Sequence, residues 1–274
     1  MKRLLLLALG FGLVAQAQDA VQILQRSVQR DEENFARLKD YTYQETQEVR
    51  TFDKQGKVTN TESETNEILI LSGRPYSRQI AKDGKPLSEK DARKEQEKLD
   101  KESAKRIKET EKDRVKLEKE RREQRAFAQE VPAAFTVTLL GEEIINGLPA
   151  WKIKADPKPA FKPTVKDADI LKKVRGTFWV DQASYQWVKA EIDVTDTISW
   201  GFFVLRITPG AKISFEQIRV NDEVWLPRQV HVRADAKIAL VKTFHVAVDV
   251  SYQDYRKFQS DSKILDADEV GANQ

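Results

Sequence analysis

From residue 134 to residue 252 the chain repeats one pattern: short runs of alternating apolar and polar residues, broken by turn formers. Trp187 to Val194 shows it most cleanly. Val188, Ala190, Ile192 and Val194 fall on one side, and Lys189, Glu191 and Asp193 on the other. A period of two means a strand with one buried and one wet face. Asn146-Gly147 stands between Glu143-Ile144-Ile145 and Ala150-Trp151-Lys152-Ile153, the residue pair a tight hairpin turn favours. Further strands read at Phe135–Leu140, Gly176–Val180, Ile213–Val220 and Gln229–Ala234. Ile238–Tyr252 reads as one long strand, with Ile238, Leu240, Phe244, Val246, Val248 and Val250 on one face. Before residue 88 the same signals predict strands at Tyr41–Thr46, Val58–Glu64, Asn66–Leu71 and Tyr76–Ala81, with turns at Gln55-Gly56-Lys57 and Lys82-Asp83-Gly84-Lys85. Hairpin-linked strands with one polar face make an antiparallel meander. About ten or eleven strands are too many for a flat open sheet. The expected fold is therefore mainly β (α+β), a strongly curved antiparallel sheet.

Two segments break the strand pattern. Asp19–Lys39 places Val21, Leu24, Val28, Phe35 and Leu38 at helical spacing, an amphipathic helix able to cover one end of the sheet. Residues 88–129 are almost all Lys, Arg, Glu, Asp and Gln. Ser88-Glu89-Lys90-Asp91 resembles a capping box with Asp in place of Glu. Leu99, Ile107, Val115, Leu117 and Phe127 do not share a face. Such a stretch favours helix through propensity and i,i+4 ion pairs but buries little surface. It reads as a long solvated helix, or a helical hairpin, inserted in the sheet and projecting from it. Val131-Pro132 is expected to end it.

The first residues carry an address. Met1-Lys2-Arg3 is basic, Leu4–Val14 is apolar, and Ala15-Gln16-Ala17 is a small-x-small cleavage site. This is the layout of a signal peptide, too short to span a bilayer. The expected organisation is a signal peptide at 1–17, one domain at 18–260 with the charged insertion at 88–129, and a flexible acidic tail at 261–274. Export to the periplasm is expected, with full secretion left open. The chain has no cysteine, so neither a disulfide framework nor a cysteine-linked lipid anchor is available. Lys and Arg number 47 against 44 Asp and Glu, a net charge of +3 that gives no reason to invoke nucleic acid.

Catalytic motifs are absent. There is no Gly-x-Ser-x-Gly elbow, no His-Glu-x-x-His and no phosphate-cradling glycine loop. Only His231 and His245 could offer imidazole to a metal, and both lie in strand patterns, so no catalytic residue, metal or cofactor is expected. The pair Glu142-Glu143 flanks a turn and reads as solvated. The run Ile198-Ser199-Trp200-Gly201-Phe202-Phe203-Val204-Leu205 is unusually apolar. It reads either as a buried strand pair or as an apolar lip over a ligand cavity. In a curled sheet some inward aromatics line a hollow instead of filling it. The candidates to line it are Trp151, Phe178, Trp187, Trp200, Phe202, Phe203, Phe215, Trp225 and Phe244.

The stretches Gly141–Trp151, Gly176-Thr177-Phe178-Trp179-Val180-Asp181 and Val224-Trp225-Leu226-Pro227, with the exported helix-then-meander layout, resemble the LolA/LolB-type lipoprotein carriers. RseB-like stress sensors share that fold. The resemblance implies a half-barrel closed by helices and an apolar concave cavity that holds acyl chains. It implies a non-catalytic, soluble carrier of a lipid or an acylated lipoprotein, working as a transport chaperone. The alternative is a periplasmic sensor or interaction module whose charged helix meets a protein partner or a membrane complex. A secreted hydrolase is disfavoured by the missing motifs. The charged segment 88–129 departs from the compact family pattern.

Overall fold

The computed structural model describes residues 5–200, 205–238 and 242–257. Helix α1 spans Leu5–Leu38. The strands of the N-terminal half are β1 (Tyr41–Phe52), β2 (Val58–Leu71), β3 (Arg74–Lys82) and the short β4 (Lys85–Pro86). Helices α2 (Glu89–Ile107) and α3 (Glu111–Ala134) follow. The rest is β5 (Phe135–Ile145), β6 (Leu148–Pro157), a 3₁₀ turn (Ala168–Lys173), β7 (Val174–Asp181), β8 (Trp187–Val194), β9 (Ile198–Trp200), β10 (Leu205–Ile207), β11 (Lys212–Val220), β12 (Val224–Ile238) and β13 (Lys242–Lys257).

All the strands join one curved antiparallel sheet, a half-barrel, in the order β4-β3-β2-β1-β13-β12-β11-β8-β7-β6-β5. The hairpin of β9 and β10 leaves this path and pairs with β12. β4 and β5, neighbours in sequence, are the two opposite edges of the main path. Eleven strands are roughly 45–50 Å across when measured along the sheet. The chain must return from one edge to the other, and α2 and α3 carry it. At 1.5 Å per residue, their 19 and 24 residues are about 28 and 36 Å long. The charged segment is thus the crossover of the sheet.

Local chemistry shapes that crossover. Ser88 caps α2: its hydroxyl accepts from the Asp91 backbone N–H at 3.2 Å and donates to the Asp91 carboxylate at 2.8 Å. Lys108 and Glu109 interrupt the helix, and Thr110 with Asp113 forms a full capping box that starts α3. The expected hairpin-or-helix is therefore two capped helices. The Arg106 guanidinium fixes the end of α2 by donating to the carbonyls of Leu71, Arg74 and Pro75 at 3.0–3.2 Å. α3 also runs past Pro132 to Ala134. A proline removes one N–H bond, but this one sits in the last turn, and Ala134 is fully buried beyond it. The expected stop at Val131-Pro132 was two residues early.

Two other expectations are corrected. Val58–Glu64 and Asn66–Leu71 are one strand, β2, with its register to β3 shifted between Thr65 and Asn66. The long strand expected from Ile238 is split: Ile238 ends β12, and Lys242 opposite it starts β13. Leu240 lies outside the described residues. The Asn146-Gly147 turn forms as expected, with φ of 52° and 83°.

Candidate functional site

Residues paired across an antiparallel ladder project to the same face. The registers therefore define two faces strand by strand. On one, Ala155, Gly176, Ile192, Ile213, Val232, Val248 and Val49 form a single row across β6, β7, β8, β11, β12, β13 and β1. Beside it runs Ile153, Phe178, Ala190, Phe215, Val230, Val250 and Gln47. The first row contains no polar side chain. The second has one, at its far end.

This apolar face is covered unevenly. At β5 and β6 it is core: Ile153 and Ala155 are fully buried against Ala20, Ile23 and Leu24 of α1 and Ala168 and Leu171 of the 3₁₀ turn. Farther along, Ile192, Ile213, Phe215, Val230, Val232, Val248 and Val250 are only half-buried. Gly176 lets the strands close at the border, because a Cβ there would meet the Glu191 carbonyl oxygen at 2.8 Å. Helix α1 is held across the sheet by polar bonds. The Asp31 carboxylate accepts from Trp187 Nε1 at 2.8 Å and from Gln186 Nε2 at 2.9 Å.

Of the aromatic residues expected to line a cavity, five described side chains fall on this face. Phe178 packs at the core end, and Trp187 lies 4.7 Å from Phe215, ring centre to ring centre. Phe244, half-buried, stands opposite Ala236 at the far end of the β12–β13 ladder. Trp151 also projects toward α1 but packs at 5.0 Å on Tyr185 and borders a separate 210 Å³ pocket with Gln22, Ile23, Arg26 and Leu139. Trp225 is a correction: it packs with Ala150, Trp179 and Val188 on the opposite side of the sheet. Its neighbours Val224 and Leu226 turn toward α1, packing with Tyr41 and Leu38, so Trp225 between them points the other way. Phe202 and Phe203 lie outside the described residues, as does the Trp200 side chain at the end of β9. The aliphatic residues Ile192, Ile213, Val230, Val232, Val248 and Val250 supply most of the face and were not among the expected lining residues. Their signal was the strict alternation of β8, β12 and β13.

The end of this face nearest α1's C-terminus carries a tyrosine cluster. Tyr43 lies 6.0 Å from Tyr252 and 5.3 Å from Tyr255. Burial pushes the Tyr252 hydroxyl up to about 12, with the nearby Glu45 adding to the shift. Burial also raises Tyr43 and Tyr255. Burial raises the Glu45 carboxyl too, partly offset by the hydrogen bond from Tyr252. A hydroxyl that stays neutral longer in the folded state contributes stability below the ordinary tyrosine pKa, about 10. That contribution is lost as pH rises from about 10 through about 12. Tyrosinate absorbance recorded together with circular dichroism should show these three hydroxyls ionising only as the fold is lost. Ionisation at the ordinary pKa with the fold intact would refute the clustering.

The opposite face is charged. Arg175, Asp193, Lys212, Arg233, Ala247 and Arg50 make one row, and Lys154, Thr177, Glu191, Ser214, His231 and Asp249 the next. Together they line a groove of about 600 Å³. Burial alone would raise the Asp249 carboxyl, but contacts with His231 and Arg50 outweigh it and hold it below the usual range. His245 lies on this face too, 2.6 Å from Asp235, opposite the apolar face as expected. Among the described residues no group of His, Asp and Glu side chains could hold a metal ion. Glu143 accepts from Lys152 Nζ at 2.6 Å and from Trp179 Nε1 at 2.7 Å. Among the described residues no helix is long and apolar enough to cross a membrane.

No protein-family model matches the chain, and no curated protein matches it. Solved structures do. A DUF1329 family protein from Desulfovibrio piger is 11% identical, with 88% of this chain and 93% of that one covered at a TM-score of 0.34. A putative outer membrane lipoprotein-sorting protein domain from Vibrio parahaemolyticus is 10% identical, with 90% and 98% covered at 0.32. The LolA superfamily protein NE2245 from Nitrosomonas europaea is 10% identical, with 88% and 93% covered at 0.30. The LolA superfamily, which the sequence motifs resemble, is among these structural neighbours. Likeness at this level transfers no function.

Proposed function

We propose that the protein is a non-catalytic carrier that holds a lipid or an acylated protein against the apolar face of its sheet. The observation that carries this reading is the row Ile192–Ile213–Val232–Val248–Val49. It is apolar across five strands and only half-buried. A soluble chain rarely leaves so continuous an apolar surface without a ligand. Burying an acyl chain there gains about 25 cal/mol per Å² of apolar surface removed from water, several kcal/mol in all. The basic start, apolar run and Ala15-Gln16-Ala17 site support export with cleavage at residue 17, so the working form begins at Gln18. Phe202 and Phe203, in the apolar run after β9, are proposed as a lip over the ligand.

The test is lipid binding by the mature chain. Purified from an extract that contains membranes, it should carry lipid detectable by mass spectrometry, and after delipidation it should take up a fluorescent fatty acid. A chain that carries no lipid and takes up none is not a carrier.

A sensor or interaction module is the second reading. It is favoured by α2, which has no buried residue. Its solvated charge offers a surface to a protein partner. Under this reading, apolar uptake is absent and charge reversal along α2 abolishes partner capture.

A further inference from the structure

The face of the sheet turned away from the apolar rows is a second site. Its groove of about 600 Å³ is the size of a small-molecule pocket. Five cations line it, Arg50, Lys154, Arg175, Lys212 and Arg233, against three carboxylates, Glu191, Asp193 and Asp249; two of the cations are also paired from outside the lining, Lys154 with Asp156 at 2.7 Å and Arg50 with Glu48 at 3.3 Å. Each carboxylate is already engaged. Asp249 holds Arg50 and His231. Asp193 is shared by Arg175 at 3.6 Å and Lys212 at 3.5 Å. Glu191 is held at 2.8 Å by Lys189. Arg233 has no carboxylate partner among the described residues. Its guanidinium lies 5.5 Å from the Phe52 ring centre, which orients it and leaves its N–H groups to the groove.

The register makes this excess of charge local. Lys212, Arg233, Ala247 and Arg50 are consecutive partners on β11, β12, β13 and β1. Arg233 and Arg50 are therefore two strands apart, roughly 10 Å, with the small Ala247 as the floor between them. A gap of that width, flanked by two planar guanidinium forks and one ammonium, suits a phosphate group, whose oxygens accept paired N–H bonds from arginine.

We infer that this groove binds a small phosphorylated molecule, with Arg233 and Lys212 as its main contacts. A free ligand fits better than a membrane surface, because the groove has the volume of a small-molecule pocket and the small Ala247 leaves room for a phosphate between the charged side chains. The site is independent of the apolar face.

Calorimetric titration with pyrophosphate at low salt tests it. Binding should weaken as salt rises. The double variant Arg233→Gln, Lys212→Gln should bind about tenfold more weakly or worse, and Arg233→Lys should fall between, because it keeps the charge and loses the fork. All four charged positions to be changed, in variant and control, are exposed, so circular dichroism should report intact folds. The control is Lys90→Gln, Lys101→Gln on α2, which removes the same charge elsewhere and should leave binding unchanged. Two results overturn the proposal. One is no heat with pyrophosphate, or equal loss in the control, which would show diffuse charge and no site. The other is binding to vesicles of phosphatidylglycerol without binding to pyrophosphate, which would make the face a membrane contact.

Discussion

Asn34→Leu is expected to destabilise the fold by about 2–5 kcal/mol, because it strands two buried backbone groups at once. The Asn34 side chain accepts from the Trp225 backbone N–H and donates to the Trp225 carbonyl, both at 2.7 Å. These residues are 191 positions apart, and Asn34 is only 9% exposed. The reason lies in the sheet. β12 pairs with β13 only from Gln229 onward, so its first residues lack a strand on that side. Asn34 takes that strand's place for Trp225, and the Tyr255 hydroxyl does the same for the Pro227 carbonyl. Leucine fits the space and satisfies neither group. The midpoint of thermal unfolding should drop by roughly 5–15 °C. Asn34→Asp keeps the acceptor but sets a buried carboxylate oxygen against the Trp225 carbonyl, so at neutral pH it should destabilise by a similar amount. A leucine variant within about 0.5 kcal/mol of the parent would mean that water already serves these groups.

Ile213→Lys is expected to abolish uptake of a fluorescent fatty acid, by about a hundredfold or more in affinity. The lysine would stand at the centre of the apolar row, between Ile192 and Val232. An acyl chain lying there would have to desolvate an ammonium, a cost of several kcal/mol. The matched control is Thr177→Lys, on the charged face two strands away. The same charge there should leave uptake within about twofold of the parent. Both positions are half-buried, so circular dichroism should confirm that each variant folds. Equal uptake by parent and Ile213→Lys would place the ligand somewhere other than this face.

These two expectations differ in how visible they were in the sequence. The apolar face was legible. The alternation of Val188, Ala190, Ile192 and Val194, and of Val246, Val248 and Val250, assigned those residues to one side before any strand was paired. The aromatics Phe178, Trp187, Phe215 and Phe244 fall on that face with them. Trp225 lies on the opposite side because it stands between Val224 and Leu226, which both pack toward α1. The Asn34–Trp225 bridge left no trace in the sequence, because nothing local relates a helix position to a strand start 191 residues later.

The charged segment shows the same division. Its composition established helix, and Ser88 and Thr110 marked both starts. It looked like an appendage because its apolar residues share no face. Strand order gave it a structural role: β4 and β5 are opposite edges of one sheet, and a chain of that length is needed to pass between them. A two-faced antiparallel sheet with a helix at its start and a solvated helical interruption could be read from local chemistry. Propensity, alternation and turn chemistry act over a few residues, and they suffice for that. Which strands are neighbours, and so which cations gather in one groove and which aliphatic residues form one row, emerges only in the folded chain. Those are consequences of pairing across tens to hundreds of residues, which no local pattern encodes.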